Sequence, residues 1–297
     1  TPTPTPVLVE EPHVVLHKKE KAEFSSNFAA VAPSGTLPLS DFPKLLAKHG
    51  INLSKGDYIR LVDSVLPHAM QHLSLPPPTP STALDEHGAQ HVFCKVYAAP
   101  VFHGPRLRKA AGRADHDIVR DLVMRGCDIN TADGNGHTPL HTAAFLGMKD
   151  TVKELAAISG KNGAAKLVVD AKDNSGWTPL MCAASNGHVD VVKALLDLNA
   201  DARTTNKEGR NALHVACSKG MDRVVKLLLG SAAGKDCREH ECERGWTPIY
   251  DASLHAHAEV LAVMLKAGAR TDGRDMLGYG PDHYCAKEGL WEKVTAK

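Results

Sequence analysis

The sequence lacks three features that would each indicate a particular class of protein. It has no run of about 18 apolar residues, so no membrane span is expected. Neither sign of charge is in excess, because 35 Lys and Arg stand against 34 Asp and Glu, which gives no general attraction to nucleic acid or anionic membranes. Its 7 cysteines form no paired framework, as is typical of reducing compartments. We therefore expect a cytoplasmic protein that binds neither nucleic acid nor membrane.

Motifs for catalysis are also missing. Neither a G-x-S-x-G nucleophile elbow nor a phosphate-binding P-loop occurs anywhere in the chain. We therefore predict that the protein is not an enzyme and that it takes no cofactor.

A nine-residue pattern recurs in the C-terminal two-thirds of the chain. Its clearest copy reads Gly-His-Thr-Pro-Leu-His-Thr-Ala-Ala, and the steps between successive copies are 40, 33, 36 and 33 residues. The two longer steps indicate insertions, which we place at residues 159–167 and 232–241. The copies begin at Gly136, Gly176, Gly209, Gly245 and Gly278.

Each copy carries the signals of a helix start and a helix end. Thr caps the helix and Pro occupies its first turn, while Leu and the two Ala form a narrow apolar stripe for close packing. Gly147, Gly187, Gly220 and Gly289 are placed to end these inner helices. Apolar pairs then predict second, outer helices at residues 151–157, 189–198, 222–229 and 259–266.

This pattern resembles the ankyrin repeat, whose period is about 33 residues and whose signature is T-P-L-H-x-A. The resemblance implies an all-α solenoid over residues 105–297, with about six helix-turn-helix units joined by β-hairpin loops. The first unit, residues 107–133, lacks Thr-Pro, and the last has Asp282 where the second has the apolar Leu140. Atypical terminal units are expected in such arrays, because one of their sides faces solvent.

Residues 1–104 follow a different pattern. Residues 1–17 are Pro-rich and predicted to be extended, and residues 68–84 read as a Pro-rich insertion. Between them, Phe24 and Phe28 share one helix face, Phe42, Leu45 and Leu46 belong to a second helix, and residues 55–65 form a third.

Residues 18–104 resemble a degenerate EF-hand pair. The first loop spans residues 30–41 with Leu37 as its apolar eighth residue, and the second spans residues 85–96 with Val92 in that place. The resemblance implies that Leu37 and Val92 meet in a short strand pairing. Calcium needs oxygen ligands and a final bidentate Glu, but Ala30 and Ala32 offer no side-chain oxygen and the second loop ends in Val96. We therefore predict that neither loop binds calcium.

An EF-hand-like module followed by ankyrin repeats resembles the ankyrin-repeat and EF-hand domain-containing family, which is associated with the motile ciliary axoneme. The resemblance implies a non-catalytic protein–protein interaction scaffold within a cytoskeletal or axonemal assembly, located in the cytoplasm and in the cilium or flagellum. Two alternatives stay open. One is a calcium-regulated signalling adaptor, and the other is a regulatory subunit of an enzyme.

Two surfaces are candidates for contact with protein partners. The hairpin stripe consists of the residue after the glycine of each copy, which is enriched in types common at binding hot spots and can equally stabilise the stack: His137, Trp177, Arg210, Trp246 and Tyr279. The inner-helix surface consists of residues that follow the Ala-Ala position: Phe145, Leu146, Asn186, Lys219 and His255.

One insertion carries the strongest candidate for a metal site. Cys237, His240 and Cys242 lie within six residues, but structural zinc usually takes four ligands, and no partner cluster is evident. We interpret the segment as a polar loop between repeats and predict no metal site. His141 and His214 hold the T-P-L-H position, where the resemblance implies a bond to the backbone of the neighbouring turn.

Overall fold

A computed structural model describes residues 18–34, 36–38, 41–49, 83–85, 89–90, 100–161, 164–285 and 289–295. The chain divides into two compact units, Thr1–Arg106 and Leu107–Lys297. Among the residues described, no helix is long and apolar enough to span a bilayer.

The N-terminal unit contains two of the three predicted helices. Helix α1 (Lys18–Val31) buries Phe24 and Phe28, whose rings stack with centroids 6.1 Å apart, so the predicted shared face is confirmed. Helix α2 (Phe42–Lys48) buries its predicted apolar residues as well. The predicted third helix, residues 55–65, lies outside the described residues.

A short two-stranded sheet joins distant parts of this unit. Strand β1 (Thr36–Pro38) pairs antiparallel with β2 (Ala83–Asp85), and Leu37 lies opposite Leu84, both buried. The prediction that Leu37 meets Val92 was wrong, because Leu84, another apolar residue that satisfies the same pattern, takes the position opposite Leu37. Counted from Leu84, the second loop would end at Gly88, which has no carboxylate for calcium.

The C-terminal unit is a stack of helix pairs, in which each inner helix is followed by an outer helix. The first pair is α3 (Pro100–Gly112) with α4 (His116–Met124). The second and third pairs are α5 (Pro139–Phe145) with α6 (Lys149–Ile158), and α7 (Pro179–Ser185) with α8 (Val189–Asp197). The fourth and fifth are α9 (Ala212–Ser218) with α10 (Asp222–Gly230), and α12 (Pro248–Leu254) with α13 (Ala258–Lys266).

The inner helices of the second, third and fourth repeats begin with a side-chain cap, as the sequence predicts, whereas Thr247 of the fifth makes no such bond. The Thr138 and Thr178 hydroxyls each accept a hydrogen bond at 3.4 Å from the backbone N–H three residues later. In the fourth repeat, Asn211 replaces threonine and its Oδ1 accepts from the N–H groups of Leu213 and His214, both at 3.1 Å. These caps satisfy donors that have no partner within the helix.

The inner helices of the second, third and fourth repeats also end as predicted, in a glycine with left-handed backbone, whereas Gly289 directly precedes an outer helix instead of ending an inner one. Gly147 has φ +74°, and a Cβ added there would lie 2.7 Å from a ring nitrogen of His188 in the next repeat. Glycine therefore serves both the turn and the close approach of neighbouring repeats. The fifth repeat places Ala256 at the same position with φ +54°, a conformation that costs a residue with a Cβ more than it costs glycine.

The sixth repeat is incomplete within the described residues. Within the described residues of the stack, the loops between repeats contain no β-strand, so the expected β-hairpins are tight turns. The sixth repeat has this loop and its outer helix, α14 (Leu290–Thr295), but residues 281–284 form turns where an inner helix was expected. The expectation of a complete sixth unit was wrong because Asp282, an exposed carboxylate, stands where a buried leucine or isoleucine anchors the inner helices of the second to fifth repeats. The insertion at residues 232–241 is not a plain loop either, since it forms α11 (Ala232–Asp236) and a 3-10 turn, Cys237–Glu239.

Candidate protein-binding surface

Four of the five loops that carry the hairpin stripe are closed by an Asp or Asn side chain that was not among the predicted site residues. Four residues before a stripe residue, an Asp or Asn side chain accepts a hydrogen bond from its backbone N–H. The signal was present as a recurring Asp or Asn three residues before the loop glycine. The acceptors and stripe residues are Asp133 and His137 (2.8 Å), Asp173 and Trp177 (2.8 Å), Asn206 and Arg210 (2.9 Å), and Asp275 and Tyr279 (2.9 Å).

Successive loop tips are joined to one another by single backbone hydrogen bonds. These bonds run through the second to fifth repeats and hold the loop tips in a row, which fixes the spacing of the hairpin stripe. They are Asn174 N–H to Asn135 O (2.9 Å), Lys207 N–H to Ser175 O (3.1 Å), and Glu243 N–H to Glu208 O (3.2 Å).

The first two stripe residues lie partly exposed along this row. His137 is half-exposed, with ring nitrogens 3.6 Å from a carboxylate oxygen of Asp133 and 3.3 Å from one of Asp173, so it bridges two repeats. Trp177 is half-buried and packs against the hydrophobic core, while its backbone carbonyl accepts a bond from His141. Each therefore combines a stacking contact with a surface that a partner can reach.

Trp246 lies inside the stack rather than on it. Only 9% of the residue is exposed, and its ring centroid lies 4.8 Å from that of Tyr284. Its indole N–H donates to Asp275 Oδ2 at 3.1 Å, and the Tyr284 hydroxyl donates to the same oxygen. Burial opposes ionisation of Asp275, but hydrogen bonds from Tyr284, Tyr279 and Trp246 outweigh it and lower the pKa to about 2. For Trp246 the structure favours the stack-stabilising alternative.

The other two stripe residues, Arg210 and Tyr279, also differ in how far they are exposed to solvent. Arg210 is largely enclosed and its Nη2 donates to Asp251 Oδ1 in the next repeat at 2.6 Å. Tyr279 is 44% exposed and its ring stacks on His283, with centroids 3.9 Å apart. The hairpin stripe is therefore exposed mainly at its two ends, His137 and Tyr279, and enclosed at Arg210 and Trp246.

The inner-helix surface presents apolar side chains to solvent in the second repeat. Phe145 is 55% exposed and Leu146 is 45% exposed. The backbone carbonyl of Phe145 is held by two side chains of the third repeat, Asn186 Nδ2 at 2.8 Å and His188 Nε2 at 3.0 Å. Lys219 and His255 occupy exposed positions farther along the same series of helix ends.

The two T-P-L-H histidines are structural. His141 Nε2 donates to the backbone carbonyl of Trp177 and His214 Nε2 to that of Trp246, both at 3.0 Å, which confirms the predicted bond to the neighbouring turn. Burial lowers the pKa of His214 to about 3, so the ring stays neutral at physiological pH.

The soft ligands of the insertion have separate hydrogen-bond partners. The buried Cys237 thiol donates to the carbonyl of Ala202 at 3.3 Å, and His240 Nε2 donates to the carbonyl of Gly209 at 3.2 Å. Burial raises the pKa of Cys237 to about 11, which keeps the thiol protonated. Within the part of the chain that the structure describes, no three His, Cys, Asp or Glu side chains come together as metal ligands. Cys242 is buried.

Comparison with known proteins agrees with this geometry. The family model described as "Ankyrin repeats (3 copies)" matches residues 107–206 and 198–275, which together make up more than half of the chain. The chain belongs to the ankyrin-repeat family. Ankyrin repeats mediate protein–protein interaction. Residues 1–106 lie outside the match, and the EF-hand resemblance of that unit stays a prediction.

Individual relatives match about a third to two-thirds of the chain. The "Probable 26S proteasome regulatory subunit p28" of Saccharomyces cerevisiae is 29% identical over 167 residues, 55% of this chain and 70% of that protein. "Ankyrin repeat and SOCS box protein 3" of Homo sapiens is 28% identical over 183 residues, 62% of this chain but 34% of its own length. "Cyclin-dependent kinase 4 inhibitor B" of Homo sapiens is 34% identical over 95 residues, 32% of this chain and 67% of that protein.

Proposed function

We propose that this chain is a non-catalytic scaffold or adaptor that binds a protein partner through the inner-helix surface of its ankyrin stack. The observation that carries the proposal is the exposed pair of apolar side chains, Phe145 and Leu146, at the end of an inner helix. Exposed apolar groups that lie together are typical of contact sites.

The pair departs from the third and fourth repeats, whereas the fifth keeps one exposed apolar residue there, Leu254, 38% exposed. The equivalent positions are Ser185 and Asn186 in the third repeat and Ser218 and Lys219 in the fourth, so a soluble helix end does not need apolar side chains. The backbone beneath the pair is already fixed by the two hydrogen bonds to the Phe145 carbonyl. An aromatic side chain on a fixed backbone loses less conformational entropy on binding than one on a mobile segment, which favours affinity.

The end residues of the hairpin stripe are exposed and could contact the partner, whereas the residues between them mainly hold neighbouring repeats together. His137 and Tyr279 offer exposed rings, whereas Trp246 and Arg210 are committed to neighbouring repeats. We infer that the partner contacts the exposed rings as a rim and the Phe145–Leu146 pair as its apolar centre.

One finding favours a particular kind of adaptor. The similarity to the "Probable 26S proteasome regulatory subunit p28" covers 70% of that protein, which supports the alternative in which this chain is a regulatory subunit with catalysis supplied by its partner. The calcium-regulated alternative has less support, because Ala30 and Ala32 stand at ligand positions and Asp41 pairs with Lys44 at 2.7 Å. Isothermal titration with calcium separates the two, since heat at millimolar calcium would favour the regulated adaptor.

The proposed place in a cytoskeletal or axonemal assembly rests on the order of the two modules alone. Tagging the chain in ciliated cells tests it directly: co-localisation with the axoneme is expected, and a uniformly cytoplasmic signal would contradict it.

The binding surface is tested by giving the second repeat the residues of the third. The variant Phe145→Ser with Leu146→Asn should reduce partner capture by crosslinking in the native cell at least tenfold. The control is Val168→Ser, which alters another exposed apolar residue, 50% exposed, outside the inner-helix surface. Both variants should melt within about 3 °C of the unaltered chain, since exposed substitutions change stability by about 0.5 kcal/mol. Undiminished capture by the double variant would remove this surface from the proposal.

A further inference from the structure

A cavity of about 400 Å³ lies between the fourth and fifth repeats, where their hairpins meet the end of helix α12. Arg210, Trp246, Asp251, Leu254 and His255 are among the residues that line it. Three of these belong to the predicted hairpin stripe and inner-helix surface, so the cavity joins the two candidate surfaces.

A buried carboxylate that lines this cavity has one oxygen without a partner. The Asp251 side chain is only 4% exposed, and its Oδ1 accepts the bond from Arg210. Its Oδ2 is shielded from water and has no hydrogen-bond partner within the described part of the chain. An unpartnered buried oxygen costs free energy that a positively charged donor would recover. Burial raises the pKa of Asp251 to about 6, which agrees with a carboxylate that lacks sufficient favourable contacts.

The carboxylate is peculiar to this repeat. The equivalent residues are Thr142, Cys182 and Val215, so the stack packs at this position without a charge. A buried ion pair such as Arg210 with Asp251 is seldom more stable than an apolar pair of similar size. The stability of the stack therefore does not explain a carboxylate at this position, whereas recognition of a positively charged group would.

The charges around the cavity favour a cationic occupant. Its carboxylates are Asp251, Glu208 and Glu243, and its two arginines are both engaged. Arg210 lies beside Asp251 and Glu208, while the Arg244 guanidinium lies 5.4 Å from the centroid of the Trp246 ring.

We propose that this cavity binds a lysine or arginine side chain of the protein partner, with Asp251 as its buried acceptor and Glu208 and Glu243 at the rim. The entering cation exchanges with, or pushes aside, the Arg210 guanidinium to reach Oδ2. This inference rests on the proposed scaffold function and adds the chemistry of one residue of the partner.

The inference is tested with small probes on the isotope-labelled full chain by NMR. N-acetyl-arginine amide and N-acetyl-lysine amide should shift the signals of the Trp246 indole N–H and of the Leu254 and His255 amides, whereas N-acetyl-glutamate amide should not. Asp251→Asn should weaken the basic probes at least tenfold. The matched control, Asp222→Asn on outer helix α10, should bind them unchanged.

A second variant keeps the test decisive if Asp251→Asn does not fold. Glu208→Gln with Glu243→Gln changes two exposed rim residues and should weaken the basic probes two- to fivefold. Shifts caused by the acidic probe, shifts away from the cavity, or no shift at all would overturn the inference. Failure of the probes while the partner is still captured, and still lost on Phe145→Ser with Leu146→Asn, would reject the cavity and leave the scaffold function standing.

Discussion

Replacing Arg210 with methionine should destabilise the ankyrin stack by about 3 kcal/mol at pH 8, the low end of the range for breaking a buried ion pair. The substitution removes the only hydrogen-bond donor to the Asp251 carboxylate within the described residues, a side chain that is 4% exposed. The loss is limited because Asp251 already has a pKa of about 6 and escapes part of the penalty by taking up a proton.

The sign of the pH dependence follows from the same pKa. The folded value of about 6 lies above the ordinary 3.8, so the folded chain holds the proton more tightly than the unfolded chain does. The stability associated with Asp251 is fully present below pH 3.8 and is lost as the pH rises through 6, which amounts to about 3 kcal/mol. Without Arg210 the pKa rises further, so Arg210→Met should cost less at pH 5 than at pH 8.

A double variant separates loss of the charge pair from loss of packing. Arg210→Trp with Asp251→Val introduces the residues that occupy the equivalent positions one repeat earlier, Trp177 and Val215, and this variant should be at least as stable as the unaltered chain. Urea unfolding followed by circular dichroism measures all three proteins, and thermal melts should show Arg210→Met about 6–12 °C lower. A free energy of unfolding for Arg210→Met within about 0.5 kcal/mol of the unaltered chain would contradict this prediction. So would a double variant that is as unstable as Arg210→Met.

Two further predictions concern buried residues of the stack. Trp246→Ala should lower the free energy of unfolding by about 3–5 kcal/mol, because it leaves a cavity in the stack and removes the indole hydrogen bond to Asp275. Tyr279→Ala removes an exposed ring and should lower it by less than about 1 kcal/mol. Equal melting temperatures for the two variants would contradict this prediction. His214→Met copies Met181 of the third repeat. His214 has a folded pKa of about 3 against an ordinary 6.5, so the stability it carries is present above pH 6.5 and is lost as the pH falls towards 3. The free energy of unfolding of His214→Met should therefore fall less steeply between pH 6.5 and pH 3 than that of the unaltered chain. An equally steep fall for both proteins in acid titration would contradict this prediction.

Much of the ankyrin unit could be predicted because its signals are local. Thr138 and Thr178 start helices by bonding an N–H three residues away, and Gly147 ends one through its own backbone conformation. Such features need only neighbouring residues, so they can be read directly from the spacing of Thr-Pro and glycine. The same holds for Phe24 and Phe28, one helical turn apart, in the N-terminal unit.

The candidate site was only partly predictable. The sequence placed Phe145, Leu146, Trp246 and Tyr279 on surfaces suited to contact, but it left open which of them is exposed. The burial of Trp246 depends on Tyr284, which packs against its ring, while Tyr279 stays exposed in the interrupted sixth repeat. No periodicity signals these contacts, because they come from a terminal unit that departs from the repeat.

The amino-acid sequence by itself determined the repeat, its period, its caps and the alternation of inner and outer helices, since each depends on hydrogen bonds and apolar spacing within about one repeat. Which residues distant in the chain meet one another depends instead on the folded structure. Leu37 finds Leu84 rather than Val92, and Arg210 finds Asp251 41 residues away. Such pairings are selected by packing among groups far apart in the chain, and the buried carboxylate in the inter-repeat cavity is visible only there.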